Sequence, residues 1–248
     1  MLSLADLPAK DRLIVALDVK GVEAALRAVA LLPNVSFFKI GYELFVTGNV
    51  PALLRELRGK RLFFDLKVPA DISNTIAAVI DQCIEYQVTF LTLSDSMPPS
   101  IIRDARASRD RRQAEYPKLL TVPLISRLDE TDFTNRAGKQ DLETYILSRA
   151  HEAVSAGCEG IIASGRKAIE VCRQAFPHPI LIVSPGIRPL GASTDDHKRL
   201  TTPAEAIEFG ADCLVVGRPI LAAPHPGEAA DRIIEEMEAA TRLRAGRR

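Results

Sequence analysis

The chain has 248 residues, 47% of them hydrophobic, which suits one large α/β domain better than two small ones. Its 32 basic and 32 acidic residues cancel, and this argues against a nucleic-acid or membrane-surface role. Four scattered cysteines without a CxxC pair, no apolar secretion signal in Met1 to Arg12 and no run long enough to span a bilayer together suggest a soluble cytoplasmic protein.

Short β-branched or apolar runs alternate with longer amphipathic stretches. In chain order the pattern predicts a strand over Leu13–Leu17, a helix over Val22–Leu31, and strands over Val35–Ile40 and Arg61–Leu66. A helix over Ile72–Glu85, strands over Val88–Leu93 and Leu119–Ile125, and a helix over Leu142–Ala156 follow. Strands over Gly160–Ala163 and Ile180–Ser184, a helix over Ala204–Glu208, a strand over Cys213–Val216 and a charged helix around Glu228–Glu238 complete the list. Eight strands in 248 residues leave about 31 residues per unit, a comfortable βα repeat. The expected fold is a (β/α)₈ barrel (a TIM barrel) forming a single domain over 1–248. A doubly wound open sheet is the alternative, but no GxGxxG follows the first strand and eight strands are many for it. Two long polar connections, Arg127–Gln140 and Pro189–Thr202, would project from the catalytic face, and the basic stretch from Arg242 to Arg248 reads as a frayed, solvated end.

Charge gathers where a barrel builds its site, at the C-terminal ends of strands. Asp18 closes the first strand, Lys39 lies near the end of the second, and Asp65 and Lys67 end the third, with Asp71 close behind. On a strand, residues i and i+2 share a face, so Asp65 and Lys67 point the same way. Each residue has a plainer reading: a structural ion pair, a helix cap at Asp18, or a snorkelling Lys39. Two lysines and two acids from three adjacent strand ends favour chemistry over all of these. In the last quarter, Ser184-Pro185-Gly186-Ile187-Arg188 and Gly217-Arg218-Pro219 follow consecutive strands, where barrels commonly bind phosphate. Tight turns with surface arginines would read the same way. His151, His178, His197 and His225 show no ligand spacing, so neither metal nor organic cofactor is expected, although carboxylates alone leave a magnesium site open.

In combination these stretches resemble the orotidine 5′-phosphate decarboxylase family. The resemblance runs through Ala16-Leu17-Asp18, Phe38-Lys39-Ile40-Gly41, Asp65-Leu66-Lys67 with Asp71-Ile72-Ser73-Asn74-Thr75, and Pro185-Gly186-Ile187-Arg188-Pro189. It continues in Asp195-Asp196-His197-Lys198-Arg199, Thr202-Pro203-Ala204-Glu205-Ala206 and Val216-Gly217-Arg218-Pro219-Ile220. It implies a homodimeric barrel that converts orotidine 5′-monophosphate to UMP and carbon dioxide without a cofactor. Lys39, Asp65, Lys67 and Asp71 would form the catalytic charge network, with Asp71 supplied by the partner subunit and Lys67 protonating C6. Asp18 and Thr75 would contact the ribose, Ser126 the base, and Pro185, Arg188, His197, Gly217 and Arg218 the phosphate side.

Four departures from the family pattern are visible. Three residues, Val68-Pro69-Ala70, separate Lys67 from Asp71 where two are usual, and Ser94-Asp95-Ser96-Met97-Pro98 stands where a His-Ala-Ser-Gly-Gly-like run is usual. Ile125 stands where a threonine is common, leaving Ser126 as base contact, and His197 replaces a glutamine. Two other functions stay open: a magnesium-dependent sugar-phosphate lyase of related fold, and a non-catalytic UMP-binding paralogue.

Overall fold

The computed structural model describes residues 7–47, 49–123, 140–189 and 201–246. Eight parallel strands close in chain order: β1 (Leu13–Ala16), β2 (Phe37–Gly41), β3 (Arg61–Val68), β4 (Val88–Leu93), β5 (Lys118–Thr121), β6 (Gly160–Ile162), β7 (Leu181–Ser184) and β8 (Cys213–Val216), with β8 paired to β1. The (β/α)₈ expectation holds, and the open sheet is excluded by closure.

Period-2 alternation explains the two cores. Ile14, Ala16, Phe37, Phe63, Phe90, Leu120, Leu181, Val183, Cys213 and Val215 fill the barrel interior. Their neighbours Val15, Phe38, Phe64, Leu91, Ile182 and Leu214 belong to the larger core under the helices. Phe90 anchors the interior, with its ring 5.1 Å from Phe37 and 5.7 Å, edge on, from Phe63.

The surrounding helices are α1 (Val22–Ala30), α2 (Tyr42–Val46), α3 (Val50–Glu56), α4 (Ser73–Glu85), α5 (Pro99–Arg111), α6 (Leu142–Ala156), α7 (Arg166–Ala175), α8 (Pro203–Phe209), α9 (Arg218–Leu221) and α10 (Pro226–Ala245). Thr202-Pro203-Ala204-Glu205 starts α8 as a capping box: Thr202 Oγ1 accepts from the Glu205 amide, and the Thr202 amide donates to the Glu205 carboxylate. The basic end is not frayed from Arg242; α10 is helical through Ala245, and Arg244 donates to the Ile207 carbonyl at 3.2 Å.

Two strand ends differ from expectation. β5 ends at Thr121, two residues before Pro123, which has no N–H to give a ladder. Leu124 and Ile125 of the predicted strand lie outside the described residues. β3 continues past Leu66 to Val68, and its register with β4 jumps from Phe64↔Leu91 to Val68↔Leu93. This is a bulge, with Lys67 at φ 43°.

The opposite end of the barrel is held by buried charge. Asp212, just before β8, accepts from Arg173 and from the Ile182 amide, while Arg12 donates to the Asp212 carbonyl and to Thr241 of α10. Glu159, just before β6, takes Arg109 and Lys118. These pairs stand away from the strand ends that carry the site, as a stabilising layer does in this fold.

Candidate active site

Extending the inward face of seven of the eight strands by one more step reaches the rim, while on β4 the same step from Phe90 reaches Thr92, which is fully buried and does not line the cavity. Ala16 leads to Asp18, Phe37 to Lys39, Phe63 to Asp65, Leu120 to Val122, Gly160 to Ile162, Val183 to Pro185 and Val215 to Gly217. Every one of these rim residues lines a single cavity of about 450 Å³, together with Ala16, Phe63, Lys67, Gly186, Arg188, Val215 and Arg218. That volume falls among sites for small ligands, which span about 300–1,000 Å³.

An unbroken chain of opposite charges crosses one side of the cavity. Lys39 Nζ donates to Asp18 Oδ1 at 2.9 Å and lies 3.4 Å from Asp65 Oδ2, and Lys67 Nζ donates to Asp65 Oδ1 at 2.7 Å. Asp18 is therefore no helix cap; α1 starts from Gly21. Nor does Lys39 snorkel outward, since its side chain is only 10% exposed against 40% for Lys67. Lys67 is therefore the more accessible of the two ammonium groups that line the cavity. Burial pushes the Asp65 carboxyl up, but the charges of Lys39 and Lys67 and the hydrogen bonds from Lys67 and Thr92 outweigh it, so its pKa lies below the ordinary value. The site therefore holds its central acid ionised.

The other side is built by the turns after β7 and β8. Gly186 has φ 79°, a conformation that glycine adopts without strain, and the turn carries Arg188 into the cavity lining. The Arg188 amide donates to the Thr201 carbonyl at 3.0 Å, and Ile187 bridges Thr201, so the two ends of the long polar connection are joined. At Gly217 a Cβ would stand 3.5 Å from Ala16 Cβ and 3.8 Å from Asp18 Oδ2, ordinary contact distances. Packing within the protein does not demand glycine there; the missing side chain leaves room in the cavity instead. Arg218 completes this side.

Two groups of predicted residues fall out of this arrangement, and two of its features were not predicted. Asp71 and Thr75 are exposed and are not among the residues lining the cavity within one chain. Ser126 and His197, like Ile125, lie outside the described residues. The apolar wall of Phe63, Val122, Ile162 and Val215 was not singled out from the sequence, although the alternation that names the core also names it. Thr92 was missed as well: it donates to Asp65 Oδ1 at 3.0 Å and accepts from the Lys67 amide at 2.9 Å. Among the described residues no three His, Cys, Asp or Glu side chains are gathered to hold a metal ion. Burial pushes the thiols of Cys83, Cys158, Cys172 and Cys213 up to about 12, as expected of apolar fillers.

The profile of the Orotidine 5′-phosphate decarboxylase / HUMPS family matches residues 11–233, and this span includes every described residue of the site. This chain belongs to that family. A family relative from Rhodopseudomonas palustris (strain BisA53), named orotidine 5′-phosphate decarboxylase, is 39% identical over 94% of this chain and 97% of its own length. One of the same name from Ruegeria pomeroyi is 40% identical over 92% of this chain and 95% of its own. A crystal structure of the Lactobacillus acidophilus orotidine 5′-phosphate decarboxylase superposes with a TM-score of 0.78 at 28% identity, covering 91% of this chain and 98% of that one. Within the family frame, the resemblance first carried by short motifs extends over nearly the whole chain. No described helix is long and apolar enough to cross a membrane.

Proposed function

We propose that this chain is a carboxy-lyase of pyrimidine biosynthesis, converting orotidine 5′-monophosphate to UMP and carbon dioxide without a cofactor. The observation that carries this reading is the order of groups around the rim. Arg188 follows β7, Gly217 and Arg218 follow β8, Asp18 follows β1, Lys39 lies on β2, and Asp65 and Lys67 lie in the last half of β3, on five consecutive strands of a closed barrel. A nucleoside monophosphate laid across them would meet cations at its phosphate, a carboxylate at its ribose and the charge network at its base.

The chemistry fits that placement. Breaking the bond from C6 to the carboxylate leaves the electron pair on C6, in an in-plane orbital that the ring delocalises poorly. The Lys67 ammonium beside C6 stabilises that pair and then gives it a proton, so carbon dioxide leaves and a C6–H bond forms. Ionised Asp65 holds Lys67 in place and crowds the departing carboxylate, while Lys39 offsets the acids around it. Barriers fall by at least about 8 kcal/mol in enzymes, more than one lysine supplies, so phosphate contacts far from C6 must help order the site.

The active unit is a homodimer. Asp71 and Thr75 lie outside the cavity of their own chain, next to Ile72, which is 58% exposed. Tyr42 and Val46, 53% and 82% exposed, are one turn apart on α2, which follows the neighbouring strand β2. A second copy covering these apolar residues would bring its own Asp71 and Thr75 to this rim.

The deciding experiment follows loss of orotidine 5′-monophosphate absorbance, with and without a chelator, beside Lys67→Ala. Turnover that survives chelation and disappears in the variant is the expected result. Turnover abolished by the chelator would replace this reading with a magnesium-dependent lyase. UMP binding without turnover would leave a binding paralogue.

A further inference from the structure

Thr92 has no exposed surface and stands two residues beyond Phe90, on the inward face of β4. Its hydroxyl has a single proton. The Lys67 amide donates to Oγ1 at 2.9 Å, so the hydroxyl's own proton is directed to Asp65 Oδ1, 3.0 Å away. The same Oδ1 accepts from Lys67 Nζ at 2.7 Å. One hydroxyl thus closes a ring from the Lys67 backbone, through Thr92 and the Asp65 carboxylate, to the Lys67 ammonium.

The bulge in β3 explains why such a group is needed. Its register jump takes the Lys67 amide out of the regular ladder, and φ 43° is a conformation that a lysine does not adopt by preference. An amide left without an acceptor at this half-buried position is costly, and the fully buried Thr92 supplies the acceptor. Valine has the same shape and suits a strand equally well, but it can neither accept from Lys67 nor donate to Asp65. Strand propensity therefore does not account for a hydroxyl at this position.

We propose that Thr92 is a positioning residue for the decarboxylation described above, an inference that rests on that reading: it fixes the Asp65 carboxylate and the bulged Lys67 backbone to one another and so aims the Lys67 ammonium into the cavity. The charged groups facing Asp65 are Lys39 from β2, Lys67 on its own strand and, through Lys39, Asp18 after β1, while Arg188 and Arg218 line the same cavity. Removing the Thr92 hydroxyl takes away one of the interactions that hold Asp65 ionised.

Thr92→Val and Thr92→Ser, each assayed with orotidine 5′-monophosphate across pH, test this. In Thr92→Val, kcat falls about ten- to a hundred-fold, the scale of one hydrogen bond to a charged group. KM stays within about twofold, because Thr92 does not line the cavity and its loss misplaces Lys67 for the chemical step, so kcat and kcat/KM fall together. The acid limb of kcat moves to higher pH, and Thr92→Ser restores most of the rate. A Thr92→Val enzyme with wild-type kcat and pH profile overturns the proposal. So does equal impairment of both variants with the acid limb unmoved, which is what a purely structural role produces. If the wild-type protein does not turn over this substrate, the functional reading fails, and carbon-13 spectra of the carboxyl groups, with Asp65 assigned through Asp65→Asn, decide the role of Thr92. A higher Asp65 midpoint in Thr92→Val sustains the ring of hydrogen bonds, and an unchanged midpoint overturns it.

Discussion

Asp65 pairs with both ammonium groups of the cavity, accepting from Lys67 at one oxygen and lying 3.4 Å from Lys39 at the other, so its ionisation determines whether the two lysines can share the cavity. Its folded pKa lies below the ordinary 3.8 despite burial, because the two lysines and the hydrogen bonds outweigh desolvation. The sign of the linkage follows. A depressed carboxyl contributes stability that is complete above its unfolded value and is lost as pH falls through its folded value. The stability difference between wild type and Asp65→Asn should therefore be full above pH 3.8 and close as the pH drops below it. Urea midpoints of both proteins along a pH series measure this. A gap that stays constant through the acid range would mean that Asp65 gains nothing from its two lysines.

At the scale of the strand, inward alternation governs both the core and the rim, and that rule was legible from residue types alone. Phe37 and Lys39 belong to one face of β2, and Phe63 and Asp65 to one face of β3, so the charges picked out at the strand ends continue the inward face of the interior phenylalanines. The bulge was not legible. Positive φ is signalled in a sequence by glycine or asparagine, and a lysine gives no such sign. Thr92 was hidden for a related reason: in Val88-Thr89-Phe90-Leu91-Thr92-Leu93 a threonine reads as strand propensity, and only the folded geometry shows its proton spoken for. Gly160, at the start of β6, shows how tightly the interior fixes the strands. A Cβ there would stand 2.5 Å from Leu120 Cδ2 and 3.1 Å from both Leu181 Cβ and the Leu181 carbonyl oxygen, so two flanking strands would have to give way. Gly160→Ala should cost about 1–3 kcal/mol, the usual range for overpacking a core. Chemical unfolding reads that cost, and a variant as stable as wild type would show that the interior yields more readily than these distances imply.

For the molecule as a whole, the barrel assembles the charge network from three strands of one chain but leaves Asp71 and Thr75 on its outer surface. Those two residues serve the cavity only if another copy brings them there. Exposed Tyr42, Val46 and Ile72 offer that copy an apolar seat at the same end of the barrel. Asp71 is also separated from Lys67 by one residue more than the family pattern, which makes its reach across the interface the point to test. A mixture of two inactive proteins, Lys67→Ala and Asp71→Asn, makes the test. In a two-fold dimer that exchanges Asp71 between subunits, a hybrid has one site with both residues intact and one with neither. Random mixing makes half the dimers hybrids, so activity should return to about a quarter of the wild-type value per site. If each chain used its own Asp71, every site in the mixture would carry one lesion and no activity would return. Recovery in the mixture, measured after denaturing and refolding the two proteins together, would place the catalytic unit at the level of the dimer, with the single barrel contributing most but not all of its active site.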